Sequence, residues 1–199
     1  MAGEKGIWTP ANVVTCVRIA LIPVFMVVAA AAEIRGEAPL AVAAFVIYAT
    51  LSLTDKVDGH LARSRNEITD FGKFLDPIAD KLLVFSALLL LLEQGWVSVW
   101  AVFVILLREF LVSALRMVAA SSGEVIAADS LGKAKTAVTM VALCGFYLAF
   151  ALLSLGALDL GATVLLVARA LFAAAVVLTV VSGAQYFWGA RHVVFGRGA

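Results

Sequence analysis

Apolar stretches at about 11–32, 38–62, 73–93, 96–120, 132–156 and 161–188 follow one another along the chain, each near the ~20 residues with which an α-helix covers the roughly 30 Å of bilayer hydrocarbon. The interruptions are short: Glu33-Ile34-Arg35-Gly36-Glu37, then Glu93-Gln94-Gly95, a longer stretch over 121–132, and 156–161. Connections of this kind make neighbouring helices antiparallel and leave no space for a second domain. Sheet is excluded by the run lengths and by the need to satisfy every backbone group within lipid. The pattern predicts an all-α integral membrane protein, a single domain over 1–199 with six transmembrane helices.

The polar positions between the runs set an orientation. The first, third and fifth connections hold Arg35 alone against Glu33, Glu37, Glu93 and Asp159. The opposite side holds Lys5, Lys56, Arg63, Arg65, Lys73, Lys133, Lys135, Arg191 and Arg197. Basic residues collect on the inner side, so both termini and the second and fourth connections are expected in the cytoplasm, with the chain in the cell membrane. The first twelve residues lack a basic run followed by a short apolar stretch and a small-residue cleavage site, and no removable signal peptide is expected.

Composition adds the solvent. With 63% hydrophobic and 15% charged residues and a mean hydropathy of +1.04, a soluble domain would have no polar coat. A formal net charge of +1 gives no polycationic surface, and no nucleic-acid partner is expected. Cys16 and Cys144 stand in apolar segments without CxxC or Cys/His spacing and read as small core residues. Ala and Gly within the runs, as at 29–32 and 173–175, permit a tight bundle or the seam of a homodimer.

Candidate chemistry begins with four carboxylates. Asp55 and Asp58 are three residues apart and Asp76 and Asp80 four, and either spacing puts a pair on one helix face. The helices carrying them are antiparallel and joined by a short connection, so the pairs can face each other at the cytoplasmic boundary. A carboxylate there costs up to about 2.5–3.5 kcal/mol on insertion scales. Four together repel one another unless countercharge is supplied. Arg63 and Lys81 offer two charges, and clustered oxygen ligands are also what hard divalent cations take. An ordinary cytoplasmic loop would account for a lone pair. Gly59 directly after Asp58, and Gly72 four residues before Asp76, place poor helix formers where a ligand or metal would approach the backbone. A metal-ion transporter would also gather carboxylates within the membrane, but would need polar groups continuing outward, and 42–49 and 84–92 are nearly unbroken apolar.

The basic residues add a second cluster. Arg18 lies two turns inside the first apolar helix and needs an anion or the site's own carboxylates, whereas Thr9 or Asn12 reads equally as a helix cap and Pro10 as the first helical residue. Arg108 is deep in the fourth run, Arg116 shares its broad face, and Gly132-Lys133-Ala134-Lys135-Thr136 follows. A doubly charged phosphate monoester needs several donors, and Arg supplies a forked pair. Arg108, Arg116, Lys133 and Lys135 therefore read as an anion pocket, with snorkelling and inside-positive topology the plain alternative for the last three. Arg169, His60 and His192 receive no role.

Asp55-x2-Asp58-Gly59-x2-Ala62-Arg63-x8-Gly72-x3-Asp76-x3-Asp80 resembles the complete signature of the CDP-alcohol phosphotransferase family, with no departure at any signature position. Pro10-Ala11-Asn12-x2-Thr15-x2-Arg18 resembles the start of the same enzymes. The resemblance implies a six-helix fold with two divalent ions, Mg2+ or Mn2+, held between the second and third helices. Asp55, Asp58, Asp76 and Asp80 match the metal ligands, and Asp80 also matches the base that deprotonates the attacking alcohol. Asn12, Thr15, Arg18, Asp58, Gly59, Ala62, Arg63 and Gly72 match positions that hold CDP-diacylglycerol. The segments TDFGKFLDPIADKLL, REFLVSALR and GKAKT resemble the branch whose acceptor is glycerol 3-phosphate, rather than the inositol-phosphate, serine or choline branches. That implies transfer of a phosphatidyl group to glycerol 3-phosphate with release of CMP, the phosphate resting on Arg108, Arg116, Lys133 and Lys135. The nearest alternative is a cardiolipin-forming enzyme of the same fold, whose lipid acceptor would want a membrane-facing entrance in place of a phosphate pocket.

Overall fold

Thr9 opens the first helix by accepting the backbone N–H of Asn12, and Pro10 takes a first-turn position where its missing N–H costs nothing. Gly36, at φ 64°, closes the same helix in the left-handed conformation that strains any residue with a Cβ. The computed structural model describes residues 9–64, 69–121 and 130–189. Among them the regular elements are all helical: α1 (Pro10–Arg35), α2 (Ala38–Ser64), α3 (Asp70–Glu93), α4 (Val99–Ser121), α5 (Ser130–Ser154) and α6 (Leu158–Gly189). Each coincides with an expected apolar run to within about one helical turn.

Length and composition by themselves qualify three of these helices to cross a membrane: Asn12–Arg35, Ser130–Ser154 and Leu158–Gly189. The apolar run of α2, Ala38–Thr54, is shorter. In α3 the charges of Asp76, Asp80 and Lys81, and in α4 those of Arg108, Glu109 and Arg116, interrupt otherwise apolar helices. Among the described residues the helices number six, with those charges in the first half of α3 and from the middle of α4 onward.

Helix α1 packs along both α2 and α3, α5 along α6 and α2, and α4 against α6. Its buried positions, Asn12, Thr15, Arg18, Ile22, Phe25, Ala29 and Ala32, recur every three or four residues and so form one stripe. The stripe is polar at its start and apolar beyond. At the centre the rings of Phe25, Tyr48 and Tyr147 meet at centroid distances of 5.1 to 5.4 Å. The Tyr147 hydroxyl donates to the Ala87 carbonyl at 3.1 Å, which ties α5 to α3 and satisfies a polar group in the core. Small residues bring α5 and α6 together: a Cβ on Gly145 would stand 3.0 Å from that of Ala168, and one on Gly161 2.8 Å from the Leu153 side chain. Cys16 and Cys144 are free thiols. Val27, Trp100, Phe103, Leu166, Val177 and Trp188 are exposed on the outer faces, an arrangement suited to lipid rather than water.

Candidate active site

The polar start of the α1 stripe meets the start of α3. Thr69 caps α3 by accepting the Gly72 N–H at 3.0 Å, and it also accepts the Asn12 side-chain amide at 2.8 Å. A Cβ on Gly72 would fall 2.6 Å from Asn12 Oδ1, so the close approach that this glycine permits is that of Asn12. One turn further along, the Thr15 hydroxyl donates to Asp76 Oδ1 at 2.9 Å, and next Arg18 Nη1 stands 3.5 Å from Asp80 Oδ1. Steps of three residues on α1 therefore meet steps of four on α3. Asn12, Thr15 and Arg18 are each buried, and among the described residues Asp80 supplies Arg18 with an anion.

Asp76 and Asp80 occupy one face of α3, as their spacing requires. Two carboxylates one turn apart, braced from behind by a hydroxyl and a guanidinium, supply hard oxygen donors of the kind that divalent cations take, and so fit one wall of a metal site. Asp55, Asp58, Gly59, Ala62 and Arg63 belong to the last turns of α2, but their side chains, like that of His60, lie outside the described residues. His192 lies outside them as well.

Asp76 and Asp80 both line an open cleft of about 820 Å3 whose other walls come from α4, α5 and α6. Arg108, Arg116, Lys133 and Lys135 all line the same cleft, so residues far apart in sequence share one space with the aspartates. The lining comes from the starts of α3 and α5 and from the later parts of α4 and α6, which is one end of an antiparallel bundle. Arg169, exposed on α6, takes no part in it.

Glu109 organises the basic wall. Its Oε1 accepts from Arg108 Nη1 at 2.9 Å and from the buried Lys135 ammonium. Cations sunk in an apolar bundle need such a counterion, and removing it would leave them uncompensated. Space for Arg108 comes from two glycines: a Cβ on Gly132 would lie 3.2 Å from its Nη2, and one on Gly183 3.1 Å from its Cγ. Arg116 Nε donates to the Tyr186 hydroxyl at 3.0 Å, with the guanidinium carbon 5.5 Å from the ring centroid. Lys81, expected as countercharge for the aspartates, donates to Ser113 Oγ, and Ser113 in turn donates to the Glu109 carbonyl at 2.6 Å. Sequence reasoning missed Glu109, Ser113 and Tyr186. Only Glu109 left a signal, an acid beside Arg108 in an apolar run.

The CDP-alcohol phosphatidyltransferase family profile matches residues 8–181, which takes in the α1–α3 seam and the basic wall of the cleft. The CDP-diacylglycerol–glycerol-3-phosphate 3-phosphatidyltransferase of Bacillus subtilis (strain 168) is 43% identical over 187 residues, covering 88% of this chain and 92% of the relative. The probable phosphatidylglycerophosphate synthase of Mycobacterium tuberculosis (strain CDC 1551 / Oshkosh) is 39% identical over 189 residues, 94% of this chain and 83% of its own. A Rickettsia bellii (strain RML369-C) protein with the same name as the Bacillus one is 37% identical over 177 residues, covering 88% and 92%. A profile match over most of the chain, together with a relative 43% identical across most of both chains, means that the chain belongs to the CDP-alcohol phosphatidyltransferase family.

Proposed function

We propose that this chain transfers the phosphatidyl group of CDP-diacylglycerol to sn-glycerol 3-phosphate, giving phosphatidylglycerol phosphate and CMP. The observation that carries the reading is the single cleft shared by Asp76 and Asp80 with Arg108, Arg116, Lys133 and Lys135. The names of the Bacillus subtilis and Rickettsia bellii relatives point the same way. A phosphate monoester with two charges can draw on the Nη edge of Arg116, on Lys133 and on the donors that Arg108 and Lys135 do not give to Glu109. The phosphodiester of a lipid acceptor carries one charge and makes less use of them.

In this reading Asp55, Asp58, Asp76 and Asp80 hold two divalent ions, Mg2+ or Mn2+. Bound there, the ions supply charge neutralisation for the diphosphate and for departing CMP. The donor rests against Asn12, Thr15, Arg18, Asp58, Gly59, Ala62, Arg63 and Gly72. Asn12, Thr15 and Arg18 also brace α3, so their contribution includes fixing Asp76 and Asp80. The basic wall fixes the acceptor phosphate and thereby aims its hydroxyl at the donor phosphorus. Asp80 takes the hydroxyl proton as the new P–O bond forms, and the bond between phosphorus and the CMP oxygen breaks with its electron pair leaving on CMP.

The same reading places all six helices across the cell membrane as one domain, with both termini and the mouth of the cleft on the cytoplasmic side. Supporting it, the charges of α3 and α4 line the same cleft as Lys133 and Lys135 near the start of α5. A homodimer, suggested by the small-residue content of the helices, belongs to this reading too. Release of CMP by the purified protein across a panel of acceptors tests the assignment. Glycerol 3-phosphate is expected to drive release, and release driven instead by inositol phosphate, serine or phosphatidylglycerol would place the chain in another branch.

A further inference from the structure

Tyr186 lies past residue 181, where the family match ends, and no part of the aspartate signature points to it. It continues the buried stripe of α6 through Ala168, Phe172, Ala175, Thr179 and Ser182, and clusters with Val112 and Leu115 of α4. A tyrosine 6% exposed buries its ring for packing, but its hydroxyl needs a polar partner. That partner is Arg116, itself an exposed side chain lining the cleft. The contact is double: the Nε–H donates to the hydroxyl at 3.0 Å, and the guanidinium carbon stands 5.5 Å from the ring centroid.

With Nε–H engaged, the edge of Arg116 that remains for two parallel hydrogen bonds is the Nη1/Nη2 edge, the geometry that matches two oxygens of a phosphate. A long side chain ordered before the ligand arrives loses less rotamer freedom on binding, so the restraint appears as affinity. Three residues earlier on α6, Gly183 gives passage to Arg108, whose Cγ would lie 3.1 Å from a Cβ there. The end of α6 thus backs both arginines of α4.

We infer that Tyr186 is a positioning residue for the acceptor: its hydroxyl and ring hold Arg116 so that the Nη edge meets the phosphate of the incoming phosphate monoester. This rests on the reading of the Arg116 wall as the acceptor pocket. Tyr186→Phe keeps the buried ring and removes only the hydroxyl, which separates positioning from packing.

The experiment is a double-mutant cycle on wild type, Tyr186→Phe, Arg116→Ala and the double variant, with KM for glycerol 3-phosphate, KM for CDP-diacylglycerol and kcat measured for each. Tyr186→Phe is expected to raise KM for glycerol 3-phosphate about 3- to 10-fold, with kcat and the donor KM within about twofold of wild type. In the Arg116→Ala background the same change is expected to add nothing, because its route through Arg116 is gone. If Arg116→Ala raises the acceptor KM but Tyr186→Phe does not, or raises it equally in both backgrounds, positioning by Tyr186 is overturned and the pocket stands. If Arg116→Ala leaves the acceptor KM unchanged, pocket and positioning fall together.

Discussion

Arg18 and Asp80 face each other across the α1–α3 seam, Nη1 to Oδ1 at 3.5 Å, and their exposures differ sharply: 3% for the arginine side chain and 45% for the aspartate. The pair is therefore one-sided. Arg18 is buried, while the carboxylate reaches the cleft. A group fixed from behind and open in front is placed for work on a substrate.

Asp80→Asn preserves the shape of the side chain and removes its charge and basicity. Turnover is expected to fall by at least about 100-fold, the low end for loss of a general base. Binding of CDP-diacylglycerol, measured directly on the purified variant, is expected to stay largely intact. A near-normal kcat would assign the proton transfer to another group.

Thr15→Val is close to isosteric and deletes the hydrogen bond to Asp76. Loss of a group that orients a metal-binding carboxylate weakens metal response by about 10-fold or more. A Mg2+ titration of activity is expected to move to higher concentration by that factor, with kcat at saturating metal retained. An unshifted titration would mean that Asp76 needs no bracing from α1.

Chelation gives the coarser test. EDTA is expected to abolish activity, and added Mg2+ or Mn2+ to restore it, because the charge on the diphosphate and on leaving CMP has to be neutralised at headgroup depth. Full turnover in metal-free buffer would remove the carboxylate cluster from the mechanism.

Gly72→Ala is expected to destabilise the protein by about 1 to 3 kcal/mol through overpacking. The new Cβ would sit 2.6 Å from Asn12 Oδ1, in a spot where Asn12 is already bonded to Thr69. Thermal unfolding in detergent measures it. An unchanged Tm would show that Asn12 can move aside without loss.

Much of this was legible in the sequence because helix geometry turns residue spacing into shared faces and because charge within an apolar run needs a partner. The six runs, the pairing of Asp76 with Asp80 and the need of Arg18 for an anion all follow from spacing and from the cost of charge in lipid. What spacing does not report is which helix supplies a partner. Glu109 serves both its neighbour Arg108 and Lys135 on α5, and Lys81 reaches Ser113 on α4, contacts fixed only when the helices pack. Gly72 shows the same limit. Its position suggested close approach to the backbone, and packing made the approaching group Asn12.

If Asp76 and Asp80 share their cleft with an acceptor held by its phosphate, the fate of labelled acceptor reports it most directly. Purified protein is given CDP-diacylglycerol, Mg2+, unlabelled phosphatidylglycerol and glycerol 3-phosphate labelled in both its carbon and its phosphate. Both labels are expected to enter lipid at an unchanged ratio, with one CMP released for each acceptor incorporated. Consumption of phosphatidylglycerol, with no label from glycerol 3-phosphate entering lipid, would contradict it.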